Sequence, residues 1–161
     1  MKSIILATDG SPSAAEATLR AIELAAALDA TLVAVAVEHA NVASYNYYGY
    51  ADVVTELTKL ERQHVDDVLA RTKALGTAAG VRCEIVHAGG AISKEICSTA
   101  AQHQARMIVI GAHGWGAVRR LMHGSVSSAV MHNAPCPVLV VRSDHSTAEP
   151  AAPPQLATVG R

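Results

Sequence analysis

The sequence predicts an α/β fold built on a parallel sheet, and three observations carry that prediction. Five short apolar runs alternate with four stretches whose apolar residues recur at helical spacing. The runs are apolar at successive positions, as strands are when helices cover both faces of the sheet. Several of them stop at glycine or Asp-Gly, which are turn signals.

The elements follow in chain order. "SIILAT" is an Ile-rich first strand that stops at Asp9-Gly10. Ser11 is placed to cap a helix and Pro12 to occupy its first position. Leu19, Ile22, Leu24, Ala25 and Leu28 then form the expected buried stripe of that helix. "TLVAVAV" is a second strand, and "ANVASYNYYGY" reads as a loop. A long helix is expected from about Asp52 to about Leu75, with Val53, Leu57, Leu60, His64, Val68 and Leu75 along one stripe. Gly76 and Gly80 bracket its end. "VRCEIVH" is a third strand, closed by a Gly89-Gly90 turn. "AISKEICSTAAQHQ" is a third helix, with Ile92, Ile96 and Ala100 four apart. "RMIVIG" is a fourth strand, Gly124 to about Asn133 a fourth helix, and "PCPVLVVRS" a fifth strand.

A chain of 161 residues fits one domain, residues 1–142, followed by a Pro- and Ala-rich stretch, 143–161, that reads as a disordered tail. Phe is absent and Ala and Val are abundant, so the core is expected to be aliphatic. A formal net charge of -1 gives no electrostatic footprint for a nucleic acid, but leaves room for a local site for a small anion. Cys83, Cys97 and Cys136 are odd in number and form no CxxC, which suits a reducing cytoplasm and buried thiols. The opening "MKSIILATDGS" is too short for a signal peptide, and no apolar run approaches the ~20 residues of a membrane helix. The reading is a cytoplasmic protein with no membrane partner.

The segment "GAHGWGAVRRLMHGSVSSAV" carries the chemistry. It spaces Gly111, Gly114 and Gly124-Ser125 between the end of a strand and the start of a helix. Unbonded N–H groups and the positive end of the helix dipole lie at such a start, and glycine lets a ligand approach the backbone. A phosphate is the natural guest. Ser125 adds a hydroxyl, Ser127 lies in the same first turn, and the loop carries His113, Arg119, Arg120 and His123. In a doubly wound sheet, ligands sit at the carboxyl ends of the strands where strand order reverses. If the first and fourth strands are neighbours there, Asp9 and Gly111 face one crevice.

"ILATDGS", the glycine segment and "PCPVLVV" together resemble the universal stress protein family, from Lys2 to Arg142. Gly111, Gly114, Gly124 and Ser125 match the G-x2-G-x9-G-[S/T] pattern of its ATP-binding branch without a gap. The resemblance implies a Rossmann-like doubly wound sheet of order 3-2-1-4-5, a homodimer through the fifth strand, and ATP held for regulation rather than rapid turnover. It implies that Asp9 contacts the nucleoside with Ala7 beside it, and that Val37 meets adenine through its backbone. Gly111, His113, Gly114, Trp115, Gly116 and Ala117, with Gly124, Ser125, Val126 and Ser127, would hold ribose and phosphates. The sequence departs from the family at Ala7, where many members have Val or Pro. It departs again at Gly90-Ala91, in place of the more usual Asp-Pro, and the bulky Trp115 stands in the phosphate loop.

Other readings stand beside these. Asp9 suits an Asx-type turn, and Arg119 and Arg120 suit a solvated loop face as well as a phosphate contact. Turn glycines with an N-cap serine would account for the glycine pattern without a ligand. The eight histidines include no pair or Cys/His set at ligand spacing, so Mg²⁺ or Mn²⁺ would enter with the phosphates. Tyr45, Tyr47, Tyr48 and Tyr50 would pack on the long helix or a subunit partner, or cover adenine. Three functions remain: a nucleotide-binding regulatory dimer, a slow ATPase or autophosphorylating enzyme using Ser125 or Ser127 with His113 or His123 as base, and a nucleotide-free interaction protein.

Overall fold

The computed structural model describes residues 2–39, 51–113 and 124–142. Among these, five strands make one parallel sheet: β1 (Ser3–Ala7), β2 (Thr31–His39), β3 (Cys83–Gly90), β4 (Met107–Gly111) and β5 (Val138–Val141). Their order is β3-β2-β1-β4-β5, the doubly wound arrangement that the family resemblance implies. Four helices connect them: α1 (Pro12–Ala27), α2 (Ala51–Ala78), α3 (Ile92–Gln102) and α4 (Ser125–Asn133).

Period-two alternation divides the strand residues between two cores. Ile4, Leu6, Leu32, Ala34, Ala36 and Val109 face α1 and α2. Ile5, Ala7, Val33, Val35, Ile108 and Ile110 face α3 and α4. In β1, β2 up to Ala36, and β4 both faces are buried, so these strands carry no polar alternation, as the sequence anticipates; the edge strands β3 and β5 are only partly covered.

Helix α1 begins as its sequence predicts. Ser11 is extended, its hydroxyl accepts from the Ala14 amide at 3.3 Å, and Pro12 follows at the first helical position. Its buried face matches the expected one in part, at Ile22 and Ala25 with Leu24 packed beside them. Ala14, Ala17, Ala21, Ile22 and Ala25 are buried, whereas Leu19 is 50% exposed and Leu28 faces solvent. The reason is distance: alanines let the helix lie close to β4, and the bulkier leucines sit on the outside.

The same correction applies to α2. Among the stripe residues whose side chains are described, only Val68 is buried; Leu57, Leu60, His64 and Leu75 are exposed, and the side chain of Val53 is not among those described. The helix docks on β2 and β3 with Val65, Val68, Leu69 and Thr72 instead. Gly76 lies within α2 rather than beyond it. A Cβ there would stand 3.1 Å from that of Cys83, so glycine lets the helix end close on the sheet. Gly89-Gly90 is not a turn after the strand but the last part of β3, paired with Glu38 and His39 at the extended end of β2. Gly90 holds φ +131, which its lack of a side chain permits. The Tyr45–Tyr50 cluster and residues 143–161 lie outside the described residues.

Candidate functional site

The direction of strand addition reverses at β1, which lies between β2 and β4. Ala7 at its end is in register with Val35 on one side and Ile110 on the other. Beyond these ends lie Asp9-Gly10 from β1 and Ala112-His113 from β4. The first and fourth strands are therefore neighbours, and Asp9 and Gly111 stand at adjacent strand ends.

The Asp9 turn is built by local hydrogen bonding. Asp9 Oδ1 accepts the Ser11 amide at 2.9 Å, an Asx turn that feeds the chain into α1. Gly10 has φ +74, and a Cβ there would meet Val68 Cγ2 at 2.7 Å. His64 Nε2 lies 3.3 Å from the Asp9 carbonyl, to which the ring nitrogen donates. Sequence reasoning placed His64 in a helix stripe. Its only signal was being the one polar residue there, and nothing in the spacing tied it to Asp9.

The start of α4 adjoins the end of β4. The Gly124 amide donates to the Ala112 carbonyl at 2.9 Å, which seats the helix directly behind the end of β4. Gly124 caps α4 without a side chain. The amides of Ser125, Val126 and Ser127 belong to the first turn, whose N–H groups have no acceptor within the helix. Together with the helix dipole they favour an anion. The Ser125 side chain is exposed, Val126 packs against the core, and Ser127 is 2% exposed. The Ser127 hydroxyl lies 3.2 Å from the Ala112 carbonyl and 3.0 Å from that of Gly124. It is a structural donor, so this residue can offer a ligand its amide more readily than its hydroxyl.

Two motif glycines also serve packing. A Cβ on Gly111 would meet Ser13 Oγ at 2.7 Å and the Ser13 carbonyl carbon at 2.9 Å. One on Gly124 would approach the Ala112 carbonyl oxygen at 3.2 Å. His113 joins the same junction: its amide donates to Ser13 Oγ at 3.4 Å, and its carbonyl accepts from Ser11 Oγ at 3.5 Å. Gly114, Trp115, Gly116 and Ala117, with Arg119, Arg120 and His123, lie outside the described residues.

Val37 lies at the same end of the sheet, near the end of β2. The Thr31 amide donates to Lys2, and the Thr8 amide to the Val35 carbonyl at 3.0 Å. Odd-numbered residues of β2 thus turn their peptide groups toward β1. Val37 is next in that series, and β1 has ended at Ala7. Its peptide group faces the open end of the sheet, while its side chain packs into the α3/α4 core.

Among the described residues, no group of three or more His, Cys, Asp or Glu gathers to hold a metal ion. None of their helices is long and apolar enough to cross a membrane. Burial pushes the thiols of Cys83, Cys97 and Cys136 up, away from the reactive thiolate.

Sheet order, adjacent strand ends and helix N-terminus define a doubly wound α/β protein with an anion-compatible site at its topological switch point. Comparison with known proteins makes the assignment specific. The chain belongs to the universal stress protein family, whose model matches residues 1–142. A universal stress protein of Methanocaldococcus jannaschii is 33% identical over 142 residues, 88% of this chain and 82% of that protein. Among solved structures, the universal stress protein UspA from Lactobacillus plantarum matches with a TM-score of 0.79 at 27% identity, over 88% of this chain and 97% of that one. A universal stress protein in complex with cAMP matches with a TM-score of 0.66 at 24% identity, over 87% of this chain and 96% of that one. One from Arabidopsis thaliana with AMP bound gives 0.67 at 18% identity, over 94% and 99%.

Proposed function

We propose that this protein is a regulatory ATP-binding dimer of the stress response, which holds the nucleotide in the β1–β4 crevice with little turnover. The observation that carries the reading is the seat of α4. Gly124, bonded to Ala112, sets the free amides of a helix start beside the ends of β1 and β4. The adenine nucleotides bound by two structural relatives support the same ligand class.

In this reading Asp9 accepts from the ribose hydroxyls with Ala7 beneath, and the Val37 peptide meets adenine. The amides of Ser125, Val126 and Ser127, and the loop that runs from Gly111 and His113 through Gly114, Trp115, Gly116 and Ala117, hold the phosphates. Mg²⁺ or Mn²⁺ enters with them and neutralises their charge. The engaged hydroxyl of Ser127 supports retention of the nucleotide over phosphoryl transfer to that side chain. β5 is an edge strand with Leu139 40% exposed, and pairing with its twin about a two-fold axis would satisfy that edge. The unpaired cysteines suit the reducing cytoplasm.

Equilibrium titration of labelled ATP against wild type and Ser125→Glu tests the reading. A carboxylate at the first position of α4 suits the helix dipole, so the variant should fold normally. It should repel the phosphates and weaken binding by about tenfold or more, the effect of one like charge in a partly screened site. Equal affinity in the two proteins would place the phosphates elsewhere.

A further inference from the structure

The exit of β2 carries a charged cluster that the nucleotide reading does not use. Glu38 follows Val37 directly, and its side chain is 17% exposed. Glu38 Oε1 receives Arg62 Nε of α2 at 2.9 Å and also contacts Nε2 of His87 on β3. The other ring nitrogen of His87 lies 2.7 Å from Asp66 Oδ1, one turn along α2 from Arg62. One imidazole therefore bridges two carboxylates on two different elements. A neutral imidazole has a single N–H; only the protonated ring donates at both ends.

Position gives this bridge its consequence. Past Val35, β2 has lost β1 as a neighbour, so Val37, Glu38 and His39 are held by β3 on one side only. The Glu38 side chain, pinned to Arg62 and His87, restrains that stretch on the α2 side, as packing of the Val37 side chain does on the α3/α4 side. Holding Glu38 therefore helps to hold the adjoining peptide of Val37.

We propose that His87 is a positioning residue for the nucleotide site: by bridging Glu38 to Asp66 it sets the exit of β2 and the peptide of Val37 against the base. The inference rests on the nucleotide reading above. The charged groups that face the ring are Glu38 from β2 and Asp66 from α2, with Arg62 of α2 beyond Glu38. Without that bridge the exit of β2 is tied to α2, among the described residues, by Arg62 alone. The β2 exit loosens and nucleotide affinity falls.

The test is ATP affinity at neutral pH for wild type, His87→Gln, His87→Arg and Asp66→Asn, titrated side by side. His87→Gln and Asp66→Asn should each bind roughly 1.5- to 5-fold more weakly than wild type, the range that an exposed ion pair carries. His87→Arg, which keeps an N–H donor for each carboxylate, should restore affinity toward wild type. Thermal unfolding of each protein checks that it is folded, and Asp66→Asn keeps the histidine should His87→Gln unfold. Equal affinity in all four proteins, or His87→Arg as weak as His87→Gln, would overturn the inference and leave the nucleotide reading intact. No ATP binding by any of them would overturn both.

Discussion

Gly111 at the end of β4 lies so close to Ser13 in the first turn of α1 that a Cβ would sit 2.7 Å from the serine hydroxyl. The Ser13 carbonyl carbon and the Ala14 amide nitrogen would be at 2.9 and 3.0 Å, and these are backbone atoms that no rotamer change moves. Gly111→Ala must therefore push α1 off the sheet. The expected loss is about 1–3 kcal/mol, the usual cost of overpacking, read from denaturant unfolding without nucleotide. A variant as stable as wild type would show that the junction has slack and that glycine there serves only a ligand.

Asp9 has two separable tasks. Its Oδ1 holds the Ser11 amide at 2.9 Å, and the proposed function gives the same carboxylate the ribose. Asp9→Asn keeps an oxygen for the turn but loses the charge. It should unfold near the wild-type midpoint while binding ATP about tenfold more weakly, since hydrogen bonds to charged groups are worth about 1.5–3 kcal/mol. Asp9→Ala should lose both, with about 1 kcal/mol of stability going with the turn. Unchanged ATP affinity in Asp9→Asn would confine Asp9 to the turn.

The two faces of α2 are distinguished by truncation. Leu69 is 1% exposed in the α1/α2 core, whereas Leu57 is 57% exposed. Leu69→Ala should cost about 2–5 kcal/mol through lost burial and the cavity left behind. Leu57→Ala should stay within about 0.5 kcal/mol of wild type. A large loss at Leu57 in dilute protein would mean that this leucine is covered in solution, and dependence of that loss on protein concentration would point to a second copy as the cover.

The strands and helix starts were legible because each has a local cause. Continuous apolar runs mark a doubly covered sheet, and Ser11-Pro12 marks a cap. The buried faces of α1 and α2 were legible only in part, at Ile22, Ala25 and Val68. Helical spacing marks the large apolar residues, but close docking also selects Ala17, Ala21 and Gly76, whose contribution is their small size. Gly89-Gly90 read as a turn because glycine marks turns locally. Only pairing with Glu38 and His39, distant in sequence, makes it strand. Within the site, the glycine spacing pointed to the seat of α4. The contact of His64 with Asp9 and the bridge of His87 to Glu38 and Asp66 join residues 21 to 55 positions apart, and no spacing rule reaches them.

Acid should expose the Glu38 restraint directly. The hydrogen bond from Arg62 comes first in holding the Glu38 carboxyl below its ordinary value of 4.5, with the charge of Arg62 and the contact from His87 adding to it. A carboxyl whose folded pKa is depressed contributes stability that is complete above its unfolded value and is lost as pH falls through the folded one. Wild type should thus be more stable than Glu38→Gln at neutral pH. The gap should close as pH drops below about 4.5 toward the lower folded value. Arg62 is 64% exposed, so the pair is open to screening. In about 1 M salt, where the Debye length is ~3 Å, the neutral-pH gap should shrink. Thermal unfolding of both proteins across that acid range, at low and high salt, reads each effect. A gap that persists unchanged below the carboxylate range would mean that Glu38 stabilises the β2 exit by packing rather than by its charge.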